Sequence, residues 1–150
     1  MSIPDIDELR ARAVNRAFPG GTFRVPEYER WLSHDAMHAP PIEPPVLHPV
    51  WILLGALRGM GVSIDELTAL VGAGAHDGTV FGETMMEQRQ PLRADTEYVV
   101  RGGVVDLVRR EGRRAGLMDL MTFRLELVDP DGLVVAVSEQ TFVFPRRSAA

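Results

Sequence analysis

The stretch Phe81-Gly82-Glu83, running on through Gln90-Pro91-Leu92-Arg93-Ala94-Asp95 into three long extended segments that end at Phe144-Pro145, decides the fold. Within it the apolar pattern has period two. Leu117, Met121, Phe123, Leu125 and Leu127 alternate with Thr122, Arg124 and Glu126, while Val134, Ala136, Phe142 and Phe144 share one face of the last segment. That alternation is the mark of a sheet with one face buried. Asp129-Pro130-Asp131-Gly132 supplies a tight turn between two of the strands. Gly102-Gly103, inside the strand predicted over 96–110, marks a bulge or a bend that lets the sheet curl.

Upstream of residue 79 the period is helical. Val50-Trp51-Ile52-Leu53-Leu54-Gly55-Ala56-Leu57-Arg58-Gly59-Met60 reads as a buried central helix whose small residues admit another backbone. Ser63 and Glu66 form a capping box, and Gly72 is a natural stop before a loop over Gly72 to Gly78. Ile6, Leu9, Ala13 and Ala17 predict a first helix that ends before Pro19. A second begins at Pro26, carries Tyr28, Trp31 and Leu32 on one face, and stops near His34-Asp35. Four prolines among residues 39–45 then exclude helix and full strand pairing. Helices followed by an antiparallel meander give an α+β fold.

The 150 residues, 45% apolar and 25% charged, fit one domain, with residues 1–21 a helical extension at its N-terminus. A net charge of -5 and a pI near 5.3 argue against nucleic acid as a partner. All 16 basic residues are Arg. There is no cysteine, so neither a disulfide framework nor a thiolate nucleophile is available. The longest apolar run, Val50 to Leu57, is far short of the roughly 20 residues that span a bilayer. The N-terminus lacks the basic and apolar regions of a signal peptide, which makes the cytoplasm the expected compartment and a membrane an unexpected partner.

The segment from Phe81-Gly82-Glu83 to Gln90-Pro91-Leu92-Arg93-Ala94-Asp95, with the strands behind it, resembles the MaoC-like dehydratases, in particular their N-terminal dehydratase-domain subfamily. The resemblance covers about residues 22 to 145. It implies a single hot-dog fold, a curled antiparallel sheet wrapped around a central apolar helix, that pairs into a homodimer or a heterodimer with another hot-dog subunit. It also implies substrates carried as thioesters on coenzyme A or acyl carrier protein, with no further cofactor. In the stretch Trp31 to Pro40, Asp35 matches the family's catalytic Asp, whereas the family's His position falls on Pro40 and its Asn-Pro on Met37-His38. Phe81 stands where relatives often carry a His.

Hydration of an enoyl thioester requires one group to activate water for attack at Cβ, one to deliver a proton to Cα, and donors that polarise the carbonyl. The expectation is that Asp35 and His38 form a displaced acid-base dyad. The alternative is that Asp35 closes a helix end and His38 is a loop residue. His34 is a further partner for Asp35, although adjacent helical residues point to different faces. His48 precedes the central helix, where it either contacts acyl or pantetheine atoms or caps the helix. Trp51, with Met60, Met85, Met86, Met118 and Met121, is either tunnel lining or core. Arg113 and Arg114, in the run Arg109 to Arg114 at a predicted hairpin tip, are expected to meet a coenzyme A phosphate or an acidic carrier helix. His34 and His38 have helical ligand spacing but no third ligand, so no metal site is expected.

These residues predict a hydratase or dehydratase that interconverts 2-enoyl and 3-hydroxyacyl thioesters. A non-catalytic hot-dog subunit that binds the acyl chain beside a catalytic partner is the alternative. Thioester hydrolysis, with Asp35 or Glu83 activating water, is the third reading.

Overall fold

The central helix is where the structure begins to organise. In a computed structural model describing residues 3–74, 77–114 and 116–146, Val50–Gly59 forms helix α3. It follows α1 (Ile6–Ala13), β1 (Gly21–Phe23) and α2 (Glu27–Ala36), and precedes α4 (Ile64–Leu70), β2 (Val80–Gln88), β3 (Tyr98–Gly112), β4 (Gly116–Val128) and β5 (Val134–Pro145), these labels applying to chain order within each class. Trp51, Ile52, Ala56 and the glycines of α3 are buried. A Cβ on Gly55 would overlap the Phe23 ring, and one on Gly59 would overlap the Val100 side chain. The missing side chains therefore let β1 and β3 lie directly on the helix.

The five strands form one antiparallel sheet in the order β1-β3-β4-β5-β2, and α3 packs against every strand of it. Met121, Phe123, Leu125 and Leu127, from the middle strand, are fully buried against the helix. This is the predicted α+β architecture, a curled, unclosed sheet around an apolar helix. The Ser63–Glu66 capping box forms, with Glu66 N–H donating to Ser63 Oγ at 3.1 Å and Ser63 N–H donating to Glu66 at 2.8 Å. Asp129 Oδ1 closes the predicted turn by accepting from Asp131 and Leu133 N–H at 3.0 and 2.9 Å. Among the described residues no helix is long and apolar enough to cross a membrane.

Several features differ from the sequence reading. The bulge in β3 lies between Val104 and Asp106, two residues past the glycine pair. Gly102 and Gly103 serve instead to let the Arg124 and Arg16 carbonyls approach, and Ala17 forms a bridge to Gly103. The short strand β1 has no period of its own to announce it. Arg109, expected at the hairpin tip, lies within β3 and donates to Asp119 at 2.6 and 2.9 Å. Asp119 is fully buried and also accepts from Arg146 at 2.7 Å. Burial alone would raise the Asp119 pKa, but the hydrogen bonds from Arg109 and Arg146 outweigh it and hold the carboxyl below its usual range. Residues 75 and 76 of the predicted Gly72 to Gly78 loop lie outside the described residues.

Candidate functional site

Helix α2 has its polar side inward. Residues 30, 33 and 34 fall on one side of a 3.6-residue helix and 28, 31, 32 and 35 on the other. The structure buries Arg30 and His34 and exposes Tyr28, Trp31 and Leu32. Arg30 is held by Glu27, with Nε 2.8 and 2.9 Å from the two carboxylate oxygens, and its Nη1 reaches the Ile42 carbonyl at 3.4 Å. Ser33 Oγ donates to the Arg30 carbonyl at 2.8 Å and accepts from Trp51 Nε1 at 3.2 Å. Thus one hydroxyl ties α2 to the first turn of α3.

His34 is 9% exposed, and its Nε2 is buried with no hydrogen-bond partner among the described residues. Its ring stands perpendicular to that of His48, with centroids 5.8 Å apart. Burial first, then the Arg30 and His48 charges, push its pKa below the usual histidine value, so the ring is neutral at neutral pH. Arg30, His34, Asp35, His38 and Ile42 line a groove of about 400 Å³ at the C-terminal end of α2.

The groove gathers Asp35, His38 and His34 but forms no dyad from the first two. Asp35 and His38 are both exposed, and no hydrogen bond joins their side chains. Their link is through the backbone, His38 N–H donating to the Asp35 carbonyl at 3.1 Å where the helix ends. His38 is left-handed, with φ 49°, the conformation that usually follows a helix C-cap.

The N-terminus of α3 is closed by its own residues. Pro49 has no N–H to offer. Val50 N–H donates to His48 Nδ1 at 3.1 Å, Trp51 N–H to the His48 carbonyl at 3.0 Å, and Ile52 N–H to the Pro49 carbonyl at 2.9 Å. His48 therefore acts as a cap, and a neutral His48 carries its proton on Nε2. Trp51 is 1% exposed and belongs to the core, with the Arg58 guanidinium 4.8 Å from its ring centroid. Arg113 and Arg114 sit exposed in the β3–β4 turn, remote in sequence and element from the α2 groove.

Sequence reasoning named His34 only as a partner for Asp35 and missed that Arg30, Ser33 and His34 face inward together, because an apolar stripe is expected to face a core. The i, i+4 spacing of Arg30 and His34 was the only local signal for it. It also missed Ser138 and Gln140, both fully buried on the helix-facing side of β5, where Gln140 Nε2 donates to Ser138 Oγ and Oε1 has no partner among the described residues. Strand β2, by contrast, is exposed along all nine residues and, among the described residues, pairs with β5 on one side only.

No protein-family model and no curated protein matches the chain. Solved structures do. The ChsH1-ChsH2 complex from Mycobacterium tuberculosis superposes with TM-score 0.69 at 13% identity, covering 96% of this chain and 91% of that one. The C-terminally truncated HadBC (3R-hydroxyacyl-ACP dehydratase) complex from Mycobacterium tuberculosis gives TM-score 0.67 at 15% identity, over 95% and 99% of the two chains. A MaoC-like dehydratase gives TM-score 0.68 at 19% identity over 91% of this chain and 43% of that one. The fold is the hot-dog fold that the stretch from Phe81 to Pro145 predicts, shared with MaoC-like dehydratases.

Proposed function

From a fold shared with MaoC-like dehydratases, we propose that this chain is the acyl-binding subunit of a two-subunit hydro-lyase that interconverts 2-enoyl and 3-hydroxyacyl thioesters carried on coenzyme A or acyl carrier protein. The catalytic acid-base pair belongs to the partner. The observation that carries this reading is the closed N-terminus of α3. Adding water across the double bond drives charge onto the thioester carbonyl, which must be met by preorganised donors. Here the first N–H groups of the helix are already engaged, by His48 and Pro49. The free edge of β2, with Val80, Phe81, Met85 and Met86 exposed, supports a hot-dog partner, since an unpaired strand edge is a template for pairing. Two of the similar structures are themselves two-protein complexes by their names.

In this reading Arg113 and Arg114 present guanidinium groups to a coenzyme A phosphate or an acidic carrier surface. His48 shapes the wall on which the acyl group lies, with the buried Trp51 packed behind it in the core. No cofactor is needed beyond the thioester carrier.

The test is consumption of short, medium and bulky enoyl-coenzyme A substrates by the purified chain, alone and mixed with a hot-dog protein that carries an intact Asp-His pair. The expected result is no turnover alone, and turnover with the partner that exceeds the partner's own. Turnover by the isolated chain would overturn the subunit reading. It would favour the self-sufficient hydratase, which rests on the groove that brings Asp35 and His38 together with His34. Asp35→Asn would then abolish activity. Free coenzyme A as the product would point instead to thioester hydrolysis.

A further inference from the structure

We propose that the hollow between the segment after α1 and helix α4 is a binding site for a small amphipathic monocarboxylate, independent of the catalytic reading above. The hollow encloses about 610 Å³, within the roughly 300–1,000 Å³ that small-molecule sites occupy. It shares no residue with the α2 groove, the N-terminus of α3 or strand β2. It exists because residues 12–20 and 60–70 are tied together at both ends and parted between. At one end Arg12 donates from Nε and Nη2 to the Leu70 carbonyl at 2.9 and 2.7 Å. At the other, Gly20 N–H donates to the Met60 carbonyl at 3.2 Å, and a Cβ on Gly61 would overlap the Gly20 backbone. Each wall is also held from behind. Asn15 and Phe18 N–H donate to the Val104 and Gly102 carbonyls at 2.9 and 2.8 Å, and the Ser63–Glu66 capping box fixes the start of α4. The site is therefore formed before a ligand arrives, which avoids the ordering cost of binding.

The ligand class follows from what lines the hollow. Phe18, Pro19, Val62 and Leu70 make it apolar, and Arg12, Arg16 and Glu66 give it charge. Arg10, one turn earlier, is paired with Asp106, whereas the Arg16 side chain makes no hydrogen bond or ion pair among the described residues. Glu66 is already engaged. Its Oε2 accepts from Ser63 N–H and Oγ at 2.8 and 2.9 Å, and those bonds hold the carboxyl below its usual range, so it is ionised at neutral pH. Two guanidinium groups against one carboxylate leave one unit of positive charge. A monoanion balances that charge, while a phosphate dianion would meet repulsion from Glu66. The planar fork of Arg16 matches a carboxylate, and the apolar lining takes the hydrocarbon body.

Octanoate is the probe, with octanol and octyl phosphate as the charge controls. Binding to the full chain is measured by calorimetry and by amide chemical shifts of isotopically labelled protein, on the wild type, Arg16→Gln and Ala69→Phe. Ala69 is exposed and lines the hollow, so a phenyl ring there fills the space. The expected result is one octanoate per chain, with shifts centred on Ala17, Phe18 and Ala69. Arg16→Gln should weaken it by about tenfold or more, the loss of one charge-assisted hydrogen bond, and Ala69→Phe should abolish it. Both controls should bind more weakly than octanoate. Wild-type amides at these positions that stay unmoved in millimolar octanoate overturn the proposal, and that reading needs no variant to fold. So does octanoate bound equally by both variants, because it then lies elsewhere, such as the wall near His48. Octanol or octyl phosphate binding as tightly as octanoate overturns the assignment to a monocarboxylate.

Discussion

Helices α2 and α3 are ten residues each and stand side by side, yet they solve opposite problems. Helix α3 buries Trp51, Ile52 and Ala56 under the sheet and leaves Arg58 outside, where it pairs with Glu29 at 2.6 Å. Helix α2 buries Arg30 and His34 and leaves Tyr28, Trp31 and Leu32 in solvent. The first arrangement is self-sufficient, because burial of apolar area supplies the stabilisation. The second ties Arg30 to Glu27 and Ser33 to Trp51 on its inner side and leaves its apolar side in solvent. The same contrast holds in the sheet, where β4 alternates buried and half-buried residues and β2 is exposed throughout.

The contrast breaks most directly at Trp51. Replacing this core indole by Ala should cost about 3–5 kcal/mol, read from the denaturant midpoint, and should also release Ser33 from α3. If the loss were as small as for an exposed residue, α3 would not be the centre of the core.

A comparable loss is expected from Asp119→Ala, which leaves Arg109 and Arg146 facing a buried void. Removing one partner of a buried pair typically costs about 3–5 kcal/mol. The pH dependence has a definite sign. The folded pKa of Asp119 is depressed, so its contribution is present above the ordinary carboxylate value of about 3.9 and is lost as pH falls through the lower folded value. Thermal melts should show an acid limb that Asp119→Asn diminishes.

His34 sharpens the difference between a buried polar group that is fully bonded and one that is not. Its folded pKa is lowered, so the unfolded chain binds more protons and stability falls as pH drops below about 6.5. His34→Phe should flatten that slope and raise stability at mildly acidic pH. An unchanged slope would mean that His34 is not buried in solution. The smallest effect belongs to the outward stripe. Under conditions where the chain is monomeric, Leu32→Ser should shift stability by less than about 0.5 kcal/mol, as exposed substitutions do.

Much of the fold was legible because it rests on local rules. The period-two run from Leu117 to Leu127, the turn at Asp129 to Gly132 and the Ser63–Glu66 box each depend on neighbours within a few residues, and each takes its predicted form. The candidate site was less legible. Asp35 and His38 were found from their place in a motif, but only the groove shows that His34 is the buried member of that trio. The Asp119 pairing with Arg146, 27 residues away, had no signal in either residue's surroundings.

The sequence by itself determined an α+β chain with a curled antiparallel sheet and an apolar helix, because periodicity and turn chemistry act through adjacent residues. Only the tertiary structure decided which side of α2 faces inward, that His48 closes the N-terminus of α3, and that β2 is left with a bare edge. Those outcomes depend on which surfaces are brought together across dozens of residues, and an amphipathic stripe reads the same in sequence whether it meets a core or a partner.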